Sequence, residues 1–255
     1  MENGKLNTDR NTFNWLKPLV IVVLAIGIFF RFTNLDKKVY WHDENLSSFY
    51  TSGYIGVEIR DRIADGGIIS IEDLHKYHQV NDEKSLSDIV KTFAKHNPQH
   101  PPTYYILLRI WMQRFGDAIA SARSFSAVTS LLAFPLIYWL CWELFQSPAP
   151  GWIGMMLVAI SPFHLLYAQE ARQYSLWTVA ILLSSAAVIR AVRLKTLKSW
   201  FLYAIAAAIS LYAHLFSILL LVGHSLYGTL QFGFKQKKAL FAYLGSLIAG
   251  FILFL

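Results

Sequence analysis

Two adjacent carboxylates, Asp43 and Glu44, follow Tyr40-Trp41-His42 a few residues after the first long apolar stretch of the chain. Neighbouring acids beside an apolar wall are costly to desolvate unless they meet a cation, a proton or a substrate hydroxyl. An aspartate so placed can take the proton of an acceptor hydroxyl as general base. The pair also fits a plainer role, as dipole-favoured acids in the first turn of a helix. A second group, Asn97-Pro98-Gln99-His100-Pro101-Pro102-Thr103-Tyr104-Tyr105, brackets an imidazole with prolines that fix the backbone around it. His100 could there contact a phosphate or a metal, or the segment could simply be a turn with an interfacial aromatic anchor at Tyr104 and Tyr105. A third group, Ser161-Pro162 followed by Tyr167-Ala168-Gln169-Glu170-Ala171-Arg172-Gln173-Tyr174-Ser175, sets Glu170, Arg172 and Tyr174 close together. A guanidinium in that position suits bidentate capture of a phosphate or pyrophosphate, whereas a Glu170 to Arg172 surface pair would be worth little. His214 is a lone histidine among apolar residues, which by itself favours a structural role, and His224 reads as packing.

The elements that must position these groups are set by composition. Of 255 residues, 55% are hydrophobic and only 15% charged, far more apolar than an ordinary soluble domain. The net charge of +7 could in principle mark a nucleic-acid binder, but lipid exposure forbids a continuous basic face, so no nucleic-acid partner is expected. Cys141, the one cysteine, allows neither an intramolecular disulfide nor a thiolate metal cluster. Lys5, Arg10 and Lys17 precede the apolar stretch Leu19 to Phe30 in the manner of a secretory signal, yet no small-residue cleavage site follows and Phe30-Arg31-Phe32 does. The segment reads as an uncleaved first span.

Crossing about 30 Å of hydrocarbon takes roughly 20 helical residues. Apolar runs cover 16–32, 122–142, 151–168, 174–192, 199–232 and 239–255. The fifth, about 50 Å as a single helix, is too long for one span; two passes turning near His214 gather the basic residues on one side, as cytosolic loops require. The expectation is therefore an all-α, multi-pass membrane protein with about seven transmembrane helices. Residues 1–15 form a cytosolic N-terminus, 16–255 one transmembrane module, and 33–121 a large non-cytosolic first loop with juxtamembrane helices. Lys5, Arg10, Lys17, Arg190, Arg193, Lys195, Lys198, Lys235, Lys237 and Lys238 then lie at the cytosolic end, while of the 16 acids only Glu2, Asp9 and Glu143 join them. Within the loop, 44–65 reads as a helix weakened by Gly53 and Gly56, and 71–96 as polar and mobile. Thr103 to Phe115 reads as a helix on the membrane surface, with Tyr105, Leu108 and Met112 alternating with Arg109 and Gln113.

This topology carries Asp43, Glu44, His100, Glu170, Arg172 and His214 to one membrane face. Acid, imidazole and guanidinium groups around a lipid-accessible cleft suit transfer from a phosphate-linked lipid donor, the acid activating the acceptor and the cation holding the leaving phosphate. A transporter or flippase using the acids as a proton relay, or a non-catalytic membrane subunit, would use some of the same features.

Trp41-His42-Asp43-Glu44, His100-Pro101-Pro102-Thr103-Tyr104-Tyr105 and the run from Ser161-Pro162 to Tyr174-Ser175-Leu176 together resemble the GT-C membrane glycosyltransferases. The resemblance is to the protein O-mannosyltransferase and aminoarabinose-transferase branch, especially its bacterial dolichyl-phosphate-mannose-protein mannosyltransferase-like members. It spans 16 to about 232. It implies an enzyme of the bacterial inner membrane that moves a sugar from a polyprenyl-phosphate donor to a lipid, glycan or protein acceptor on the non-cytosolic face, in contact with membrane lipids. It further implies Asp43 as general base with Glu44 in support, Glu170 at the second-loop acidic position, and Arg172 and Tyr174 as an Arg-x-Tyr element. His100 stands where aminoarabinose transferases carry a lysine before proline. Tyr104 and His214 join the substrate-binding set. Some members use a divalent cation; no metal ligand set is expected here. Family members usually run to several hundred residues, so the resemblance implies an N-terminal module.

Overall fold

The computed structural model describes residues 2–233 and 236–255, without the side chains of 2–15, 62 and 63. Lys235, and the side chains of Glu2, Lys5, Asp9 and Arg10, which entered the charge reading, lie outside the described residues. The fold is all-helical: α1 (Glu2–Phe32), α2 (His42–Ser52), α3 (Gly56–Ala64), α4 (Ile71–His75), a 3-10 turn (Lys76–His78), α5 (Leu86–His96), α6 (Thr103–Phe115), α7 (Ile119–Leu131), α8 (Ala133–Phe145), α9 (Pro148–Ile160), α10 (Pro162–Ala168), α11 (Tyr174–Leu194), α12 (Leu197–Ala213), α13 (Ser217–Phe232) and α14 (Lys237–Phe254).

Among the described residues, three helical stretches are long and apolar enough to cross a membrane: α7 with α8 (27 residues), α11 (21 residues) and α14 (18 residues). A fourth is α9 with α10, bent by 61° at Ser161. The bend follows from Pro162, which supplies no N–H to the carbonyl four residues back. α12 and α13 are apolar but shorter, and they meet at His214. Packing runs laterally from α1 to α9, α8, α11, α12 and α14, with α13 lying against α11, α12 and α14. Small residues let these helices close up, which substitutes for the missing hydrophobic drive between helices in lipid. A side chain at Gly27 would fall 2.6 Å from the Ala159 carbonyl oxygen, and one at Gly250 would fall 2.8 Å from that of Ala204. Large apolar side chains such as Ile21, Phe29, Leu157, Leu219 and Leu230 stay exposed on the outside, as expected of surface meant for lipid.

The first loop is folded. Its core joins Ile89 and Phe93 of α5, Tyr104, Tyr105, Leu108 and Met112 of α6, Ala122 and Phe125 of α7, and Ala171. Two expectations are corrected here. The single helix over 44–65 is two helices, because Gly53 adopts φ +86 and ends α2, a left-handed cap that glycine adopts at little cost. The stretch 71–96, expected as polar and mobile, forms α4 and α5. Ser70 and Asp73, and likewise Ser85 and Asp88, exchange bonds across helix starts, and Ile89, Thr92 and Phe93 supply a buried stripe at helical spacing.

α6 matches its expected bounds, but Arg109 does not face outward. It lies one turn after Tyr105, is 2% exposed, and donates from Nη1 to the Thr51 and Ser52 carbonyls at 2.9 and 3.0 Å and from Nη2 to the Asn81 and Lys84 carbonyls. Arg31 acts similarly at the bend: Nη2 donates to the Val158 carbonyl and Nη1 to that of Ala159, each at 3.0 Å. Carbonyls at helix C-termini lack intrahelical partners, and buried guanidiniums answer several at once.

Candidate functional site

Arg172 and Asp43 meet where the loop between α10 and α11 crosses the start of α2. Asp43 sits in the first turn of α2, where the helix dipole favours a carboxylate. Arg172 Nη2 lies 3.6 Å from Asp43 Oδ2. Arg172 Nη1 donates to the Asp43 carbonyl at 3.2 Å and to Ser47 Oγ at 3.3 Å, while its Nε is buried without a partner. The arginine side chain is 8% exposed and that of Asp43 31%, so the carboxylate reaches open space while the cation lies behind it. The Tyr174 ring packs 5.7 Å from the Arg172 guanidinium.

His100 and His214 lie within electrostatic reach of Arg172. Tyr105 donates to Gln173 Oε1 at 3.0 Å, and Gln173 Nε2 lies 3.3 Å from His100 Nδ1. With Gln173 donating, the neutral His100 ring keeps its proton on Nε2. Burial lowers the proton affinity of His100, Arg172 lowers it further, and Asp43 opposes them. His214, in the turn between α12 and α13, accepts the Phe216 N–H at Nδ1 (3.1 Å) and stacks on Trp177 at 4.4 Å. Burial lowers its affinity too, followed by His100 and Arg172. Arg172 therefore acts on both imidazoles and Asp43 on His100, although the four groups come from four segments of the chain.

Three expected site residues, Glu44, Tyr104 and Glu170, are engaged within the protein. Glu44 is fully buried, and Arg123 of α7 donates to both of its oxygens, from Nε and Nη2, at 2.8 Å; the Ala171 N–H also donates to Oε1 at 2.8 Å. With both oxygens engaged inside the protein, Glu44 ties α2, α7 and the loop before α11 together, and substrate does not reach it. Tyr104 is 1% exposed and bonds Ser126 Oγ at 3.0 Å within the loop core, because it lies on the buried face of α6; it is not open to a substrate. Glu170 does not pair with Arg172. Lys38 Nζ meets its Oε1 at 2.8 Å, and its Oε2 is buried without a partner.

Sequence reasoning missed Arg123, Gln173, Ser47 and Lys38. Arg123 left a signal, a charge inside the apolar run 122–142, the kind of residue that marks a buried partner in a membrane protein. Lys38 and Ser47 left none, since their importance comes from contacts across the chain. Among the described residues no three His, Cys, Asp or Glu side chains are placed together to hold a metal ion. The donor set around Arg172 is one carboxylate, imidazoles and a cation, which does not fit a dedicated divalent-cation cage.

The cluster can do acid-base and phosphate chemistry at one point. A partly exposed carboxylate stands next to a desolvated guanidinium whose Nε is buried without a partner, and two imidazoles can each present an Nε2–H. A family model described as dolichyl-phosphate-mannose-protein mannosyltransferase matches residues 99–255, which include His100, Glu170, Arg172, Tyr174 and His214 and leave Asp43 outside. No curated protein and no solved structure matches the chain.

Proposed function

This chain belongs to the dolichyl-phosphate-mannose-protein mannosyltransferase family, a family of membrane glycosyltransferases, and on that premise we propose that it transfers a sugar from a polyprenyl-phosphate donor, with Asp43 as general base. The acceptor hydroxyl oxygen attacks the anomeric carbon, and the bond from that carbon to the phosphate oxygen breaks. Asp43 takes the hydroxyl proton, and the electron pair leaves with the lipid phosphate. Arg172 stabilises the charge growing on that phosphate, with the Nε2–H groups of His100 and His214 as further donors, all fixed before the reaction begins. Tyr174 positions the guanidinium, and Glu44 and Glu170 act as positioning residues. The reaction as written routes no step through a metal.

The observation that carries this reading is the 3.6 Å approach of a partly exposed Asp43 carboxylate to a buried Arg172, a base and a phosphate clamp side by side. We place the site on the non-cytosolic face of a bacterial inner membrane, on a module of about seven spans counting α1, α12 and α13. The test is transfer from radiolabelled polyprenyl-phosphate sugars in membranes containing the full chain. Asp43→Asn keeps the size of the side chain and removes the base, so transfer should fall roughly 10²- to 10⁴-fold with membrane insertion intact. Transfer at the parental rate would refute the role of Asp43.

A further inference from the structure

At the opposite end of α11 stands a second polar cluster with no part in the transfer site. α11 begins two residues after Arg172 and has 21 residues, so its C-terminus lies about 30 Å away. There Glu143 of α8 is buried and takes four donors: Trp139 Nε1 at 2.9 Å, Arg190 Nη1 at 3.0 Å, and Arg193 through Nε at 2.9 Å and through Nη2. One carboxylate thus faces two guanidiniums whose side chains remain 41% and 38% exposed.

A third cation follows. Lys195 caps α11 with φ +54, a left-handed conformation in which glycine or asparagine is preferred. Its Nζ donates to Gln236 Oε1 at 2.7 Å and lies 5.6 Å from the Phe232 ring. Beside these groups opens a cavity of about 350 Å³ lined by Glu143, Arg193, Lys195, Tyr227 and Gln231 and walled by Leu144, Ile189 and Val192. The lining holds two cations, Arg193 and Lys195, and one carboxylate, Glu143, whose oxygens are already engaged, so it keeps a net positive charge. Leu144, in its apolar wall, is also exposed on the outside.

We propose that this cavity binds the phosphate of an anionic phospholipid, with Arg193, Lys195 and Gln231 as headgroup donors and the acyl chains lying along Leu144 and Ile189. A phosphodiester matches the charge, and guanidinium and ammonium groups are its usual partners. The apolar wall favours a lipid over free phosphate. The site would anchor the far end of α11 in one leaflet while the near end holds the transfer site.

The test measures retention of dioleoylphosphatidylglycerol and dioleoylphosphatidylcholine by the purified full chain in neutral detergent, by native mass spectrometry, and is independent of any transfer activity. Phosphatidylglycerol should be retained preferentially. Lys195→Gln, which leaves the Glu143 cage untouched, should weaken its retention about fivefold, and Lys198→Gln, an exposed lysine outside the cavity, should not. Equal loss in both variants, or equal retention of the two lipids, overturns the proposal in favour of a diffuse basic surface. Inorganic phosphate as a competitor separates the sources: lipid retained in excess phosphate supports the lipid site, and full displacement shows that the cavity serves free phosphate. Because Arg193→Gln alone would remove two of the four donors to buried Glu143, it is paired with Glu143→Gln. That double variant should also lose phosphatidylglycerol while remaining monodisperse, and undiminished retention would refute the role of Arg193.

Discussion

The chemistry of the candidate site depends on how single residues are held. Asp43 and Glu44 are neighbours on α2, yet one carboxylate faces open space and the other is sealed under Arg123. Successive helix positions point about 100° apart, which suffices to separate an accessible carboxylate from a buried one. His100 offers a measurable consequence of burial. Its folded form holds a proton less readily than the ordinary value of 6.5, so the unfolded chain binds the proton first as pH falls. Stability contributed by the neutral ring is complete above about pH 6.5 and declines as pH drops through the interval down to the folded value. His100→Gln should flatten the fall of the thermal midpoint between about pH 7.5 and 5, followed in detergent solution. An unchanged slope would show that His100 is no more buried in solution than in the unfolded chain.

Elements are held in place by arginines at their ends. Arg31, Arg109 and Arg123 are among the largest fully buried side chains, and each donates to carbonyls that a helix end or a turn leaves open. Arg123 is the most connected: besides Glu44 it donates to the carbonyls of Leu35 at 2.6 Å, Lys38 at 2.9 Å and Val39 at 3.0 Å. It thereby holds the turn after α1 and the start of α2 against α7, and so sets where Asp43 projects. Arg123→Met would leave Glu44 as an uncompensated buried charge, costing about 3–5 kcal/mol. Combining it with Glu44→Gln should return much of that loss, because the stranded charge is gone. Chemical denaturation of the two variants measures this, and a double variant no more stable than the single one would show that the carbonyl bonds outweigh the ion pair.

On the scale of the whole molecule, charged clusters mark the two ends of the bundle. Asp43, Arg172 and His100 gather at the start of α11, while Glu143, Arg190 and Arg193 gather at its finish. With basic residues favouring the cytosol, Val39 should face outward and Lys198 inward. In a Cys141→Ser background, Val39→Cys should react with a membrane-impermeant maleimide on intact cells, and Lys198→Cys only after permeabilisation. The reverse pattern would invert the orientation and place the site in the cytosol.

Hydrophobic run lengths and the bracketing of charge were enough to read an all-helical membrane protein with a large polar first loop, because lipid admits few ways of satisfying a backbone. Asp43, His100 and Arg172 stood out as candidates for a related reason, since they belong to residue types that membranes seldom tolerate without a use. The partners were not legible. That Arg123 covers Glu44, that Lys38 rather than Arg172 meets Glu170, that Tyr104 turns into a core and that α5 is ordered all depend on contacts between distant segments. Local spacing specifies which residues share a helix face, but only packing decides which faces meet, and burial then determines which carboxylate remains accessible.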